Sequence, residues 1–333
     1  MNKRGALLAV LAMAGARLPA FAQTADKVYR IAVYFNQRAA SLAGPIPASV
    51  LMRAFVETLS TRGYVEGRNL ILDRWSSVGL DVPEREKMMA ELVRTKPDVI
   101  VVDGTGAALH AAKLTSSIPI VMVASVDPVG YGLAQSLARP GRNVTGLALD
   151  VGVGSEEKRF DLFVEMLPKA RRLAYVGTKG DWEGAWGKAV QAVAAKRRVD
   201  LFFAQGQPSA GFADAIDALK REKSEAFFVA LSSSTGPYSQ LFAKFALANR
   251  LPSSGGTTEW ADLGCLMAYG QSAVNFFTHG GMYVDKILKG ANPGDLPIEQ
   301  PTKFELVINL NTAKAIGFTV PQSILLRADR VIQ

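Results

Sequence analysis

Two side-chain types that enzymes and metal centres rely on are scarce in this 333-residue chain, which has one cysteine and two histidines. Cys265 alone cannot close an internal disulfide or build a thiolate metal cluster. Within Leu263 to Ala268, an apolar run that reads as a strand, it is expected to be a small buried side chain. His110 and His279 lie on separate helical patterns far apart in the chain, where a structural or exposed role is expected for each. No GxSxG elbow, HExxH pair or P-loop occurs. Gly104-x-Gly106 and Gly152-x-Gly154 lack the further glycines of a phosphate-binding turn, and read instead as a strand-to-helix turn and a hinge. The chain is therefore expected not to be an enzyme and to need neither metal nor cofactor. Long apolar runs are also missing beyond the first residues, which argues against membrane insertion.

The first residues differ from the rest. Lys3 and Arg4 precede the apolar run Leu7 to Ala16, and Ala20-Phe21-Ala22 has the small-x-small form of a cleavage site. Residues 1–22 thus read as a secretory signal peptide, and the mature protein as periplasmic. With no cysteine near the cut, a lipid anchor on a new N-terminal cysteine is excluded. The formal charge of +8 is spread along the chain, with Arg171-Arg172 and Lys196-Arg197-Arg198 as its only clusters. Without a DNA-binding head, that excess fits solvated faces better than a nucleic-acid partner.

Past the leader, strand and helix patterns alternate with short connections. Val28 to Phe35, Asn69 to Trp75, Asp98 to Val102 and Ile118 to Val123 read as strands, with helices over 48–62, 83–95 and 105–114 between them. This is the signature of right-handed βαβ units and a parallel sheet. Gly130 to Ala138 has helical spacing after Pro128, and Val144 to Leu149 follows as another strand. The alternation restarts after Asp150-Val151-Gly152-Val153-Gly154, a segment suited to a hinge. The expected class is α/β, with two Rossmann-like lobes. Lobe 1 spans 26–149 plus about 271–300, lobe 2 spans 150–270, and 301–333 is a C-terminal segment stitching both.

In open α/β sheets, ligands bind beyond the carboxyl ends of the strands. At those ends this chain repeatedly places small hydroxyls, amides, acids or aromatics. Asn36 follows the first strand, Thr105 the third, and Ser125 and Asp127 the fourth. In the second half Trp182, Ser232, Ser233, Thr258 and Glu259 hold matching places. Any one of them could simply cap a helix. Their recurrence along edges that face one cleft points to solute binding.

Three stretches carry a resemblance. DPVGYGLAQSLARPGRNVTG, from Asp127, resembles the central signature of a bacterial ABC-transporter substrate-binding family that includes aromatic-amino-acid uptake proteins. Residues 296–332 and the GCLMAYG segment from Gly264 are similar to the same family. The resemblance implies a type I periplasmic-binding (Venus-flytrap) fold, a small-molecule ligand captured by hinge closure, an inner-membrane ABC permease as partner, and a monomer. Type I amino-acid-binding proteins have a similar layout. Carried over by position, that layout implies Thr105 and Ser125 on a solute carboxylate, Asp127 or Glu259 on its ammonium, and Trp182 stacked over its side chain. The chain departs from the family pattern at Thr258-Glu259 and at Ser232 to Ser234. A periplasmic sensor subunit of a signalling system is the alternative with the same cleft.

Overall fold

The computed structural model describes residues 27–149, 152–300 and 302–333. The expected signal peptide, Asp150-Val151 of the expected hinge, and Pro301 lie outside the described residues. The first sheet holds β1 (Tyr29–Phe35), β2 (Leu70–Ser76), β3 (Val99–Asp103), β4 (Ile120–Ser125) and β5 (Val144–Ala148), all parallel, in the order β2-β1-β3-β4-β5. Its helices are α1 (Ala39–Leu42), α2 (Val50–Thr61), α3 (Val82–Arg94) and α4 (Thr105–Leu114). Strand alternation sorts the core. Ile31, Val33 and Phe35 face one apolar cluster with Phe55 of α2, while Ala32 and Tyr34 face another with Met89 of α3 and Ala108 of α4. Both faces are covered, as a parallel sheet requires. Ser49 caps α2, and Asp81 with Glu84 forms a reciprocal cap on α3, so each helix starts where its first free N–H groups find an acceptor.

The second unit runs α5 (Val153–Met166), β6 (Arg172–Gly177), α6 (Lys179–Glu183), α7 (Ala185–Arg197), β7 (Asp200–Gln205), α8 (Ala213–Arg221), β8 (Ala226–Val229), α9 (Ser239–Asn249), β9 (Ser253–Gly255), α10 (Glu259–Asp262) and β10 (Met267–Gly270). After it, α11 (Ala273–Leu288) returns to pack on α2, β4 and β5 of the first lobe. The chain then adds β11 (Glu305–Asn309), α12 (Leu310–Ile316), α13 (Gln322–Leu325) and β12 (Arg330–Ile332). The second sheet has the order β12-β11-β10-β9-β8-β6-β7, parallel except between β10 and β11. Two lobes of mostly parallel sheet flanked by helices, with α11 of the later chain packed back on the first lobe, form the type I periplasmic-binding architecture.

Three details differ from the sequence reading. No helix forms over Gly130 to Ala138. Asp127 takes φ 45° and Gly132 φ 72°, and the Leu133 and Ala134 N–H groups both fold back onto the Pro128 carbonyl. Two glycines in three residues lower helix propensity enough for this compact turn to win, and Leu133 is buried from it as it would have been from a helix. The strand expected over Leu263 to Ala268 begins later, at Met267, because α10 and its C-terminal turn occupy Leu263 and Gly264. The C-terminal segment, expected to stitch both lobes, places β11 and β12 on the second sheet only. The contact with the first sheet comes just before it: Glu299 accepts from the Ala148 N–H and donates to the Gly146 carbonyl.

Gly146 makes the crossing possible. It takes φ 128°, and a Cβ there would lie 2.1 Å from the Met122 carbonyl oxygen of β4. Gly146→Ala should therefore destabilise the protein by at least ~3 kcal/mol, read as a lowered midpoint in urea; a midpoint within error of the parent would refute this packing.

Candidate functional site

The carboxyl edges of the two sheets face each other and touch. Asn36, just past β1, donates its side-chain amide to the Ser233 carbonyl, just past β8. A Cβ placed on Gly104 would lie 3.6 Å from Ser233 Cβ. Val78, after β2, packs on the second lobe's cluster of Phe212, Tyr238 and Trp260. The lobes are closed on one another along this seam.

On the first lobe, Gly104 ends the turn after β3 at φ 84°, and α4 starts at Thr105 with no side-chain cap. Its first N–H groups face the cleft together with the positive end of the helix dipole. Thr105 Oγ1 accepts the Val126 N–H at 2.8 Å, donates to the Val126 carbonyl at 3.1 Å, and lies 3.2 Å from the buried Ser125 Oγ. The β4 edge is bent to allow this, with Ala124 at φ 57° and a register shift between Met122 and Ser125. Thr105 and Ser125 thus lie side by side at this edge.

On the second lobe, Ser232 reaches Asp181 Oδ2 at 3.3 Å. A small cavity of about 10 Å³ lies where the lobes join, lined by Leu149, Ser155, Glu156, Leu231, Thr257, Tyr269, Gln271 and Phe304. The rings of Tyr269 and Phe304 stack on its wall at 5.8 Å. That volume holds about one water.

The remaining expected residues serve other contacts. Asp127 Oδ1 caps the Gly130 N–H at 2.9 Å. Glu259 takes the Ser272 hydroxyl at 2.6 Å and the Ala273 and Val274 N–H groups at 3.0 and 3.1 Å, holding the start of α11. Thr258 is buried and donates its N–H to the Gln271 carbonyl. Trp182 stacks on Phe203 at 5.1 Å, almost coplanar, against the helical face of the second sheet. Cys265 is buried, and desolvation pushes its thiol up to about 12, which leaves it inert.

Two features escaped the sequence reading. Glu156 and Arg159 look like solvated charges in the run SEEKR, yet both are buried. Glu156 takes Arg159 at 2.5 and 3.1 Å, Arg159 donates to the Val229 carbonyl at 2.9 Å, and its guanidinium lies 3.8 Å over the Phe228 ring. Their i, i+3 spacing was the only available signal. Asp103 ends β3 at the seam, where burial pushes its carboxyl up to about 6 against the opposing help of the Asn36 backbone N–H.

A family model described as "ABC transporter substrate binding protein" matches residues 48–332. The chain belongs to that family. It is 25% identical over 265 residues to a tyrosine-binding protein of Clostridioides difficile (strain R20291), covering 79% of this chain and 75% of that one. A solved conserved domain protein of Vibrio cholerae is 27% identical with a TM-score of 0.74, over 92% of this chain and all of that one. An ABC domain from Streptococcus pneumonia, solved in complex with L-Trp, shares the fold at 22% identity and a TM-score of 0.73, with the same coverage. Among the described residues of this substrate-binding protein, no helix is long and apolar enough to cross a membrane.

The Asp103 carboxyl gives a pH signature. An acid whose pKa is raised in the folded protein keeps a proton that the unfolded chain has already lost, so stability falls as pH rises from the ordinary carboxylate range to about 6, and is level above. Asp103→Asn should flatten that decline in Tm measured from roughly pH 4 to pH 7; an unaltered profile would mean the carboxyl is solvated.

Proposed function

We propose that this protein is the periplasmic solute-capturing component of an ABC importer, that it works as a monomer, and that its solute is an amino acid with an apolar or aromatic side chain. The observation that carries the reading is the pairing of Thr105 and Ser125 hydroxyls beside the uncapped start of α4, on an edge that closes against Ser233. Hydroxyls and free helix N–H groups converging on one point suit a carboxylate. Asn36, Ser232 and Ser233 complete the polar lining, with Asp127, Trp182, Thr258 and Glu259 supporting the loops around it. The stacked Tyr269–Phe304 wall suits an apolar or aromatic side chain. The tyrosine-binding relative and the L-Trp complex of the Streptococcus structure support the same class of solute.

Capture works by population shift. A solute that touches both edges binds the closed form better than the open one, and moves the equilibrium by that difference. The permease then meets a shape that exists mainly when a solute is inside.

Calorimetric titration with the common L-amino acids and a set of sugars tests the reading. One or a few amino acids should bind and the sugars should stay silent. Thr105→Val should weaken the bound amino acid by roughly 10- to 100-fold, the worth of one hydrogen bond to a charged group. Unchanged affinity in that variant would remove Thr105 from the carboxylate site.

A further inference from the structure

The carboxyl ends of β1 and β2 gather hydrogen-bond donors that no acceptor meets. Tyr34 and Trp75 are register partners on these neighbouring strands, so their rings share one face of the sheet, in the apolar cluster that Met88 and Met89 of α3 close. Arg85 lies one turn before Met89 on α3, and helical side chains lean toward the amino end, here the end beside those strand tips. Three atoms of this group are buried without a hydrogen-bond partner among the described residues: the Tyr34 hydroxyl, the Trp75 Nε1 and the Arg85 Nε. Tyr34 is only 3% exposed. Burial holds its phenol above the ordinary range, against a smaller downward pull from the Arg85 charge and the Ser77 hydroxyl. Ser77 is itself turned to Asn36 Oδ1 at 3.4 Å. The acids beside Arg85 on α3 are engaged elsewhere, Asp81 and Glu84 in the helix cap and Glu86 with His110.

The second lobe closes over this end of the sheet. Val78, just past β2, packs on the cluster of Phe212, Tyr238 and Trp260. The Tyr238 phenol is raised by its burial, and the charges that oppose this are those of Arg38 and Arg85. The charges acting on both rings are thus positive. An indole N–H and a guanidinium can only donate, and a phenol donates readily. A buried donor left unmet forfeits the hydrogen bond it made with water, so the group favours an acceptor of negative charge. We propose that Tyr34, Trp75 and Arg85 form an anion site at the seam, which takes one oxyanion group: a carboxylate, a phosphate or a sulfate. Such a group has lone pairs for all three donors and supplies the counter-charge that Arg85 lacks. The Thr105 and Ser125 hydroxyls follow β3 and β4, two strand spacings or about 10 Å away. This is therefore a second site, and it stands or falls independently of the solute-capture reading. The oxyanion comes either as a free ion or as a second acidic group on the captured solute.

Calorimetric titration of the full mature chain in low-salt buffer separates these sources. Inorganic phosphate and sulfate probe the free ion, and O-phospho-L-tyrosine against L-tyrosine probes an acid carried by a solute. Calorimetry reads binding itself, whereas both ions raise the Tm of proteins in general by exclusion from their surface. One arm should respond: a free ion binds at one per chain, or the phosphorylated amino acid binds at least tenfold more tightly than its parent. Trp75→Phe keeps an aromatic ring and loses the N–H; Arg85→Met keeps an apolar stem and loses the charge. Each should weaken the responding probe by roughly 10- to 100-fold. Both variants should fold, since each removes a donor that the fold leaves unmet, and circular dichroism and Tm verify that. If neither arm responds in the wild type, or both variants keep the parent's affinity for the probe that does, the anion site is overturned. Solute capture, read from the unmodified amino acids, is untouched by that result.

Discussion

The structure depends on the meeting of two sheet edges. A parallel sheet ends, at the carboxyl side of its strands, in loops and helix starts rich in unpaired N–H groups and small polar side chains. Here two such edges are pressed together, with Asn36 bonded to Ser233 and Gly104 against it. Every polar group in that seam must exchange water for a partner. Most of them have one built in: Thr105 and Ser125 have each other and Val126, and Ser232 has Asp181.

Bringing the edges together requires a stiff connection behind them. The crossing segments supply it, with Glu299 bonded on both its N–H and its carbonyl to β5, and with α11 packed on α2 and β4 of the first lobe. The buried Glu156–Arg159 pair plays a comparable part on the second lobe. Its charges are removed from water, held by a backbone carbonyl and a ring face, and so fix the start of α5 beside the cavity. A buried pair of this kind is weak evidence of stability, but breaking it by removing one partner is costly. It therefore specifies one arrangement of α5 against β8.

Much of the architecture was legible in the chain. The strands of the first lobe announce themselves as short β-branched runs, and Pro83 marks a helix start by the chemistry of its own ring. The turn after β4 was misread because Gly130 to Ala138 keeps its apolar residues at helical spacing. That pattern reports which residues are buried, and a compact turn folded back on Pro128 buries Leu133 equally well. Around the cleft, Thr105 and Ser125 are named together only through the resemblance to type I amino-acid-binding proteins. The fates of Asp127 and Glu259 could not be read in advance, since an acid at a strand end serves equally well as a ligand contact or a cap.

The sequence by itself determined the alternation of strands and helices, the two-lobed α/β plan and the polar character of the strand ends, because each follows from local spacing and side-chain chemistry. Only the tertiary structure decided which polar groups are already satisfied. Glu156 found Arg159 one helical turn away, Trp182 found Phe203 on β7, and Asp103 found no cation among the described residues. Whether a side chain is spent or available depends on what folding brings within about 3 Å of it, and that distance is set by contacts between residues remote in the chain.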